Sequence, residues 1–314
     1  MSRKRNDLPD LYRDIPLPPD WTRVTRLEKG WSRELKFFVD TGSRQRFLLR
    51  VRDNNQQESH RNEFDFVLRL NAAGIAVPRP HLFGLTNQGQ STFMLLDWIE
   101  GQDLAEVLPG LPACDQYRLG KEAGQILRMI HHMPIREDAP PPRDIRQKSL
   151  EKVDKFEEAG LCIKDSTRVA EFIRGHIGWI GCGPFVCQHG DYHPGNLIFM
   201  PDRHIAVIDF NRWDIGDPVE EFYKLQSFTI QSSIPFARGQ LDGYFDGMPD
   251  EAFWQALAVH VAVSALYSIR WAAPFGAHEV EGMVQRYNQA FLDYRGFAQI
   301  IPDWYHDTEK RPAQ

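Results

Sequence analysis

Residues 187–200, CQHGDYHPGNLIFM, place two histidines, an aspartate and an asparagine within eight positions. A second acidic position closes the apolar run IAVIDFN at 205–211. Asp191 precedes Asn196 by five residues, and Pro194 and Gly195 make a tight turn between them. An aspartate so placed can accept the proton of an attacking hydroxyl. An amide oxygen slightly further on can ligate a metal that neutralises phosphates. Asp209 follows Asp191 by eighteen residues at the end of an apolar strand. A carboxylate there can chelate Mg2+ bridging β- and γ-phosphates. A zinc centre on Cys182, Cys187 and His189 would need a second ligand cluster, and the sequence offers none.

These residues need elements to hold them. TRVTRLEKGW, RELKFFVD and QRFLLRVRD read as three antiparallel strands, separated at Gly30 and at the turn DTGSRQ. SHRNEFDFVLRLNAAG reads as a helix, with Phe64, Val67, Leu68 and Ala72 at helical spacing and Gly74 closing it. VPRPHLFGL and STFMLLDWI supply two more strands. Residues 1–20, polar and Pro-rich near IPLPPD, form an arm packed on the first strand or leading into it. Beyond EGQDL the pattern turns helical: CDQYRLGKEAGQILRMIHHM, SLEKVDKFEEAG, STRVAEFIRGHIGWI, EEFYKLQSFTI, EAFWQALAVHVAVSALYSIR and HEVEGMVQRYNQAFLDY. The expected fold is therefore α+β and two-lobed. A small five-stranded antiparallel lobe with one helix spans 1–99, of which 1–20 are an extension, and a larger, mainly α-helical lobe spans 100–314.

With 314 residues, 42% apolar and 25% charged, the chain has an ordinary globular composition and can bury a core without disulfides. Four cysteines are too few for a disulfide framework. No stretch of about 18 uninterrupted apolar residues and no signal peptide is apparent, so a cytoplasmic protein without a membrane partner is expected. The net charge of −6 resides entirely in residues 215–314, with thirteen acidic and seven basic residues. That argues against nucleic acid and suits a cationic ligand or a solvated acidic surface.

The Asp191-to-Asn196 spacing matches the protein-kinase catalytic loop, and HGDYHPGNLIF…IAVIDFNRWDIGDPVEEF resembles the aminoglycoside phosphotransferase/choline kinase family of small-molecule kinases. The family pattern, H-G-D-x-x-x-x-N, then I-D-F/W, then G-D-P, is met at each anchor, and the resemblance covers about residues 22–295. It implies a protein-kinase-like fold and ATP or GTP as co-substrate with Mg2+. Asp191 would be the base or hydroxyl-orienting residue, and Asn196 and Asp209 would hold Mg2+. His189 would brace the loop, and Asp217 would be a buried anchor. His193 would face the γ-phosphate or pack the loop, and His131 would take a core or capping role.

On the third strand, RFLLRV carries Arg50 where the family usually has a lysine, a departure that keeps the charge but changes its geometry. Its partner would be Glu63, with Glu58 the competing choice. Ser32, in EKGWSRE, would cover the phosphates. Asp97 and Ile99, in FMLLDWIEG, would lie at the hinge against the nucleobase.

A protein kinase is disfavoured because DFN stands where D-F-G would, with no A-P-E segment after it. A pseudokinase is disfavoured by the intact Asp191, Asn196 and Asp209. The acceptor is expected to be a small hydroxyl-bearing molecule. An aminoglycoside is the first expectation, met by Asp214, Glu220 and Glu221, with Asp246, Asp250 and Glu279 further candidates. A macrolide, choline, homoserine or sugar is the alternative. Trp254, Tyr267, Trp271 and Phe275 are core aromatics, one or two of which could line an acceptor pocket. The chain is expected to act as a monomer or homodimer.

Overall fold

The computed structural model describes residues 5–28, 34–137, 139 and 141–306. Ser32 and Gly30 lie outside the described residues. The chain forms two compact units: Met1–Gly101 with Met200–Asn211, and Gln102–Phe199 with Arg212–Gln314. The fold is α+β and two-lobed, as the sequence pattern requires.

The first unit is built on five antiparallel strands: β1 (Trp21–Leu27), β2 (Leu35–Thr41), β3 (Arg46–Asp53), β4 (Pro80–Thr86) and β5 (Ser91–Asp97), in the order β1-β2-β3-β5-β4. Alternation sets the two faces of this sheet. Phe37, Val39, Phe47, Leu49, Val51, Phe93 and Leu95 point to one core, which Leu8, Tyr12 and Ile15 of the N-terminal arm cover. The arm thus packs on the sheet, and its Arg5–Asn6 pair runs parallel to β1. Met94 and Leu96 point the other way and pack with Phe64 of helix α1 (Gln57–Ala72).

Helix α1 is rotated from the expected phase. His60, Glu63, Phe64, Phe66, Val67 and Leu70 are buried, while Leu68 is 45% exposed and Ala72 is exposed. Turning Glu63 inward toward the arginines of β3 sacrifices Leu68. Gly74, at φ +78°, stops the helix, and the Ile75 N–H returns to the Leu70 carbonyl at 3.1 Å. The segment Met200–Asn211 completes this unit. Its short strand Ile205–Val207 is buried, the Val207 N–H donates to the Ala76 carbonyl at 2.8 Å, and Phe210 meets Phe66 edge-on.

The second unit contains α2 (Ala113–His131), α3 (Ile145–Glu158), α4 (Ser166–His176), α5 (Ile234–Phe245), α6 (Glu251–Ala272) and α7 (Ala277–Asp293). Sequence pattern missed α5, whose Gly239 and Gly243 lower helix propensity. Those glycines face Gly120 and Gly124 of α2. A Cβ on any of the four would meet the other helix's backbone at 2.1–2.2 Å, so the backbones cross in near contact. Helix α6 is long and apolar enough to cross a membrane by length and composition, with a mean hydropathy of 1.4, yet 72% of that window is buried inside the protein. The stretch expected as a regular helix, EEFYKLQSFTI, is instead a 3-10 turn at Glu220–Phe222 followed by a wide π-turn at Leu225–Thr229. At the start of that turn Lys224 reaches Asp191, which is half-buried, and within it Gln226 reaches the buried Asp293.

Candidate active site

The loop bearing Asp191 lies between two short strands of the second unit. Val186–Gln188 leads into it and pairs antiparallel with Asp214–Gly216, while Leu197–Phe199 leaves it and pairs with Gln102–Asp103. The loop is tied down from several sides. The N–H groups of His189 and Gly190 donate to the two oxygens of Glu221 at 2.6 and 2.9 Å. The Asp191 N–H donates to His189 Nδ1 at 3.1 Å, and the Gly195 N–H donates to His193 Nδ1 at 3.1 Å. Buried Tyr192 donates its hydroxyl to the Ala123 carbonyl at 2.8 Å. Gly190 sits at φ +81°, where a Cβ would come within 2.0 Å of the Arg212 carbonyl oxygen. Only glycine allows residue 212 to pass that close.

The Asp191 carboxylate faces three cationic or basic groups: Lys224 Nζ at 2.5 Å, His193 Nε2 at 3.6 Å and Arg212 Nη1 at 3.7 Å. Burial pushes its pKa up, but Lys224, His193 and Arg212 overcome that and bring it down to about 2. Lys224 itself is 4% exposed. Burial opposes its charge, but Tyr223 and Asp191 prevail and its pKa is raised. Burial lowers the pKa of His193 to about 4, assisted by Lys224 and His189, so the ring is neutral near pH 7. With Nδ1 accepting from Gly195, the ring proton sits on Nε2, toward Asp191. The His193 ring stacks on Phe228 at 5.0 Å, with Lys224 and Arg286 also over that ring.

Asn196 donates through Nδ2 to the Asp191 carbonyl at 2.9 Å. With that nitrogen fixed, Oδ1 is the atom available as a ligand. Asp217 is buried, and its oxygens accept from the Gly181 N–H at 2.8 Å, the Val219 N–H at 2.9 Å and His260 Nε2 at 3.2 Å. Burial works against its charge, but His260 and the two backbone donors hold its pKa below the ordinary range.

In the first unit, Asp209 adopts φ +66°, a left-handed conformation uncommon for a residue with a side chain. Its carboxylate lies 3.2 Å from Lys36 Nζ and 3.6 Å from Arg50 Nη2. Arg50 is buried between Glu34, at 2.8 Å, and Glu63. Arg52 closes the ring, reaching Glu34 and Glu63 at 2.7 Å each. Desolvation disfavours the Arg50 charge, but Glu34, Glu63 and Asp209 outweigh it and raise its pKa. Glu58 is exposed. At the end of β5, the Asp97 N–H is taken by the Arg79 carbonyl at 2.8 Å and the Trp98 N–H by the Arg46 carbonyl at 3.0 Å. The Asp97 side chain pairs with His81 Nε2 at 2.6 Å, and Ile99 is half-buried.

The expected acceptor carboxylates fare differently. Asp214 is exposed and accepts from its neighbour's N–H, that of Ile215, at 2.8 Å. Glu220 lies 3.2 Å from Lys148 and 3.9 Å from Lys152. Glu221 is 3% exposed with both oxygens on the loop backbone, so it is a buried loop anchor rather than an acceptor carboxylate. Asp250 caps α6 through the Phe253 N–H, and Asp246 ends α5 at φ +55°. Glu279 lies beside His278. His131 is buried, with Nδ1 2.7 Å from the Tyr244 hydroxyl.

Sequence reasoning missed Lys36, Glu34, Arg52, Arg212 and Lys224. Lys36 was within reach of it: strand alternation and the β2–β3 register pair it with Arg50. Lys224 announces itself only as a lone cation in an apolar and acidic stretch.

Asp209 in the first unit offers a carboxylate and Asn196 in the second unit an amide oxygen, each a hard donor of the kind a divalent cation takes. Among the described residues, no group of three or more His, Cys, Asp or Glu side chains could hold a metal by itself. Cys182 is exposed and Cys187 buried, which leaves the zinc reading without support.

Several solved structures share this fold. A thermostable mutant of the aminoglycoside phosphotransferase APH(4)-Ia, in its apo form, superposes with a TM-score of 0.65 at 15% identity, over 88% of this chain and 96% of that one. The GDP complex of an aminoglycoside 2'-phosphotransferase-IIIa variant gives 0.69 at 16% identity, over 87% and 93%. Amicoumacin kinase, in complex with AMP-PNP, Ca2+ and Ami, gives 0.65 at 14% identity, over 91% and 92%. No curated protein matches the chain by sequence. The model of the phosphotransferase enzyme family matches residues 23–257, well over half the chain. With the HGD loop, the Asn196 amide and the Asp209 strand end in place, the chain belongs to the phosphotransferase enzyme family.

Proposed function

We propose that this protein transfers the γ-phosphoryl group of ATP or GTP, with Mg2+, to a hydroxyl of a small molecule. The observation that carries the reading is the Asp191 carboxylate, kept ionised by Lys224 on a loop braced by Glu221, His189 and Asn196. Asp191 orients the acceptor hydroxyl and takes its proton as the new O–P bond forms and the nucleoside diphosphate leaves. With its pKa near 2 it is a weak base, which suits a transition state whose charge stays on the phosphoryl oxygens. Asn196 and Asp209 would hold Mg2+, which neutralises phosphate charge. Lys36 and Arg50 offer the phosphates cations from the sheet. Most of the rate enhancement on this reading comes from positioning and charge neutralisation.

The similar structures support a nucleotide: they include complexes with GDP, AMP-PNP and ADP. Their complexes with hygromycin B and with Ami support a small-molecule partner. The expectation of a polycationic aminoglycoside rested on Asp214, Glu220 and Glu221, and two of these three are engaged within the protein.

The test is a phosphorylation screen with Mg-ATP and Mg-GTP over a broad hydroxyl panel, with Asp191→Ala alongside. Wild type should turn over at least one acceptor, and Asp191→Ala should lose turnover while binding nucleotide. Wild type that binds no Mg-nucleotide ends the kinase reading, and turnover retained by Asp191→Ala removes Asp191 from its role.

A further inference from the structure

Lys224, the partner of Asp191, is close enough to Lys152 to act on its charge. Lys224 and Asp191 neutralise each other. Beyond them, Lys148 and Lys152, one helical turn apart on α3, share a single carboxylate, Glu220. Two ammonium groups against one carboxylate leave one net positive charge. Glu220 is the one carboxylate paired with both lysines, so the cations of this cluster outnumber its anion. Burial lowers its pKa first, and Lys148 and Lys224 lower it further, against Glu220. Such a site is relieved by a further anion. Lys152 still reaches solvent, with 25% of its side chain exposed.

The same ammonium lies over the Tyr267 ring, 5.7 Å from its centre. Tyr267 and Trp271 are spaced one turn apart on α6, both half-buried, and Trp271 meets Phe275, 47% exposed, at 4.8 Å. An aromatic stripe thus leads away from the lysine pair toward solvent. Trp254 is buried and takes no part.

We infer, resting on the phosphotransferase reading above, that the hydroxyl acceptor is a carboxylic acid with a flat apolar body. Lys148 and Lys152 receive its carboxylate, and Tyr267 and Trp271 receive its body. A single net positive charge matches one carboxylate. A polyamine acceptor would place its ammonium groups against like charge, which disfavours it. The acidic charge of the C-terminal third does not set the polarity of this site, because Glu220, the acid paired with both lysines, is outnumbered.

The experiment uses a matched pair of probes, 4-(hydroxymethyl)benzoate and 4-(hydroxymethyl)benzylamine, with the full chain and Mg-ADP. Binding is read by saturation-transfer NMR, and phosphoryl transfer is followed with Mg-ATP. The benzoate should bind more tightly than the amine, Lys152→Met should weaken it ~10-fold or more, and Lys152→Glu should reverse the preference. If Lys152→Met fails to fold, Lys148→Met carries the same test. Equal or tighter binding of the amine, no binding of either probe, or unchanged benzoate affinity in the folded lysine variant overturns the inference. Nucleotide binding in the same samples separates the two readings. Its loss in wild type sinks the kinase proposal, whereas bound nucleotide with amine preference sinks only the anionic acceptor.

Discussion

The ammonium of Lys224 lies 2.5 Å from the Asp191 carboxylate, although 33 residues separate them in the chain. The contact arises where the wide turn at Leu225–Thr229 begins. It makes the charge state of Asp191 a property of two segments.

Replacing Lys224 tests that dependence. Lys224→Met removes the strongest of the groups that hold the Asp191 pKa down, leaving only His193 and Arg212 against burial, so its pKa rises. In wild type, Asp191 is ionised above about pH 2, so its protonation cannot shape activity at ordinary pH. In the variant, turnover should fall ~10²-fold, and the acid limb of its pH profile should move to higher pH. Lys224→Arg should recover part of both. An acid limb that stays in place would show that Lys224 does not set the charge of Asp191.

The arginine ring of the first unit separates stability from nucleotide affinity. Arg50→Met leaves the buried Glu34 and Glu63 to share Arg52 alone, one carboxylate charge uncompensated, and should destabilise the protein by ~3–5 kcal/mol. Lys36→Met leaves that ring intact and should mainly raise the KM for nucleotide. Thermal melts and nucleotide titrations of both variants check this, and the opposite pattern would exchange the two roles.

His60 should impose a pH dependence on folding. It is fully buried, its Nδ1 lies 2.8 Å from the Thr92 hydroxyl, and burial, with Arg52 and Arg50, lowers its pKa to about 2. Between its ordinary pKa of 6.5 and about 2, the unfolded chain binds a proton there and the folded chain does not. Stability from this group is therefore full above pH 6.5 and falls as pH drops, by up to ~1.4 kcal/mol per pH unit. The melting temperature of His60→Gln should decline less between pH 7 and pH 5 than that of wild type.

Gly190→Ala should disable the loop. At φ +81°, and with Arg212 backbone 2.0 Å from the new Cβ, the loop must shift. Backbone strain alone amounts to ~1–3 kcal/mol. Turnover should drop more than nucleotide affinity, and a variant with wild-type kinetics would show that the close approach does not matter.

The parts legible in sequence were those whose meaning lies in short-range spacing. Asp191, Asn196 and Asp209 stand out by count alone, and strand alternation located Arg50 on β3. What escaped depends on partners far along the chain. Glu220 and Glu221 looked like free acids, and only the fold brings Lys148 and Lys152 to one and the loop backbone to the other. Helix α1 was misphased because a buried Glu63 was not counted in its apolar stripe. Helix α5 was missed because its glycines, poor helix formers alone, are what the crossing with α2 requires.

The excursion Met200–Asn211 has a consequence for how the protein is made. Its flanks belong to the helical unit, yet its own residues complete the sheet unit. A ribosome that has released only the first hundred residues has delivered a sheet still missing Val207 and Phe210, and an Arg50 still missing Asp209. The sheet unit matures only after about two thirds of the chain has emerged, and no single cut in the gene would yield both units whole.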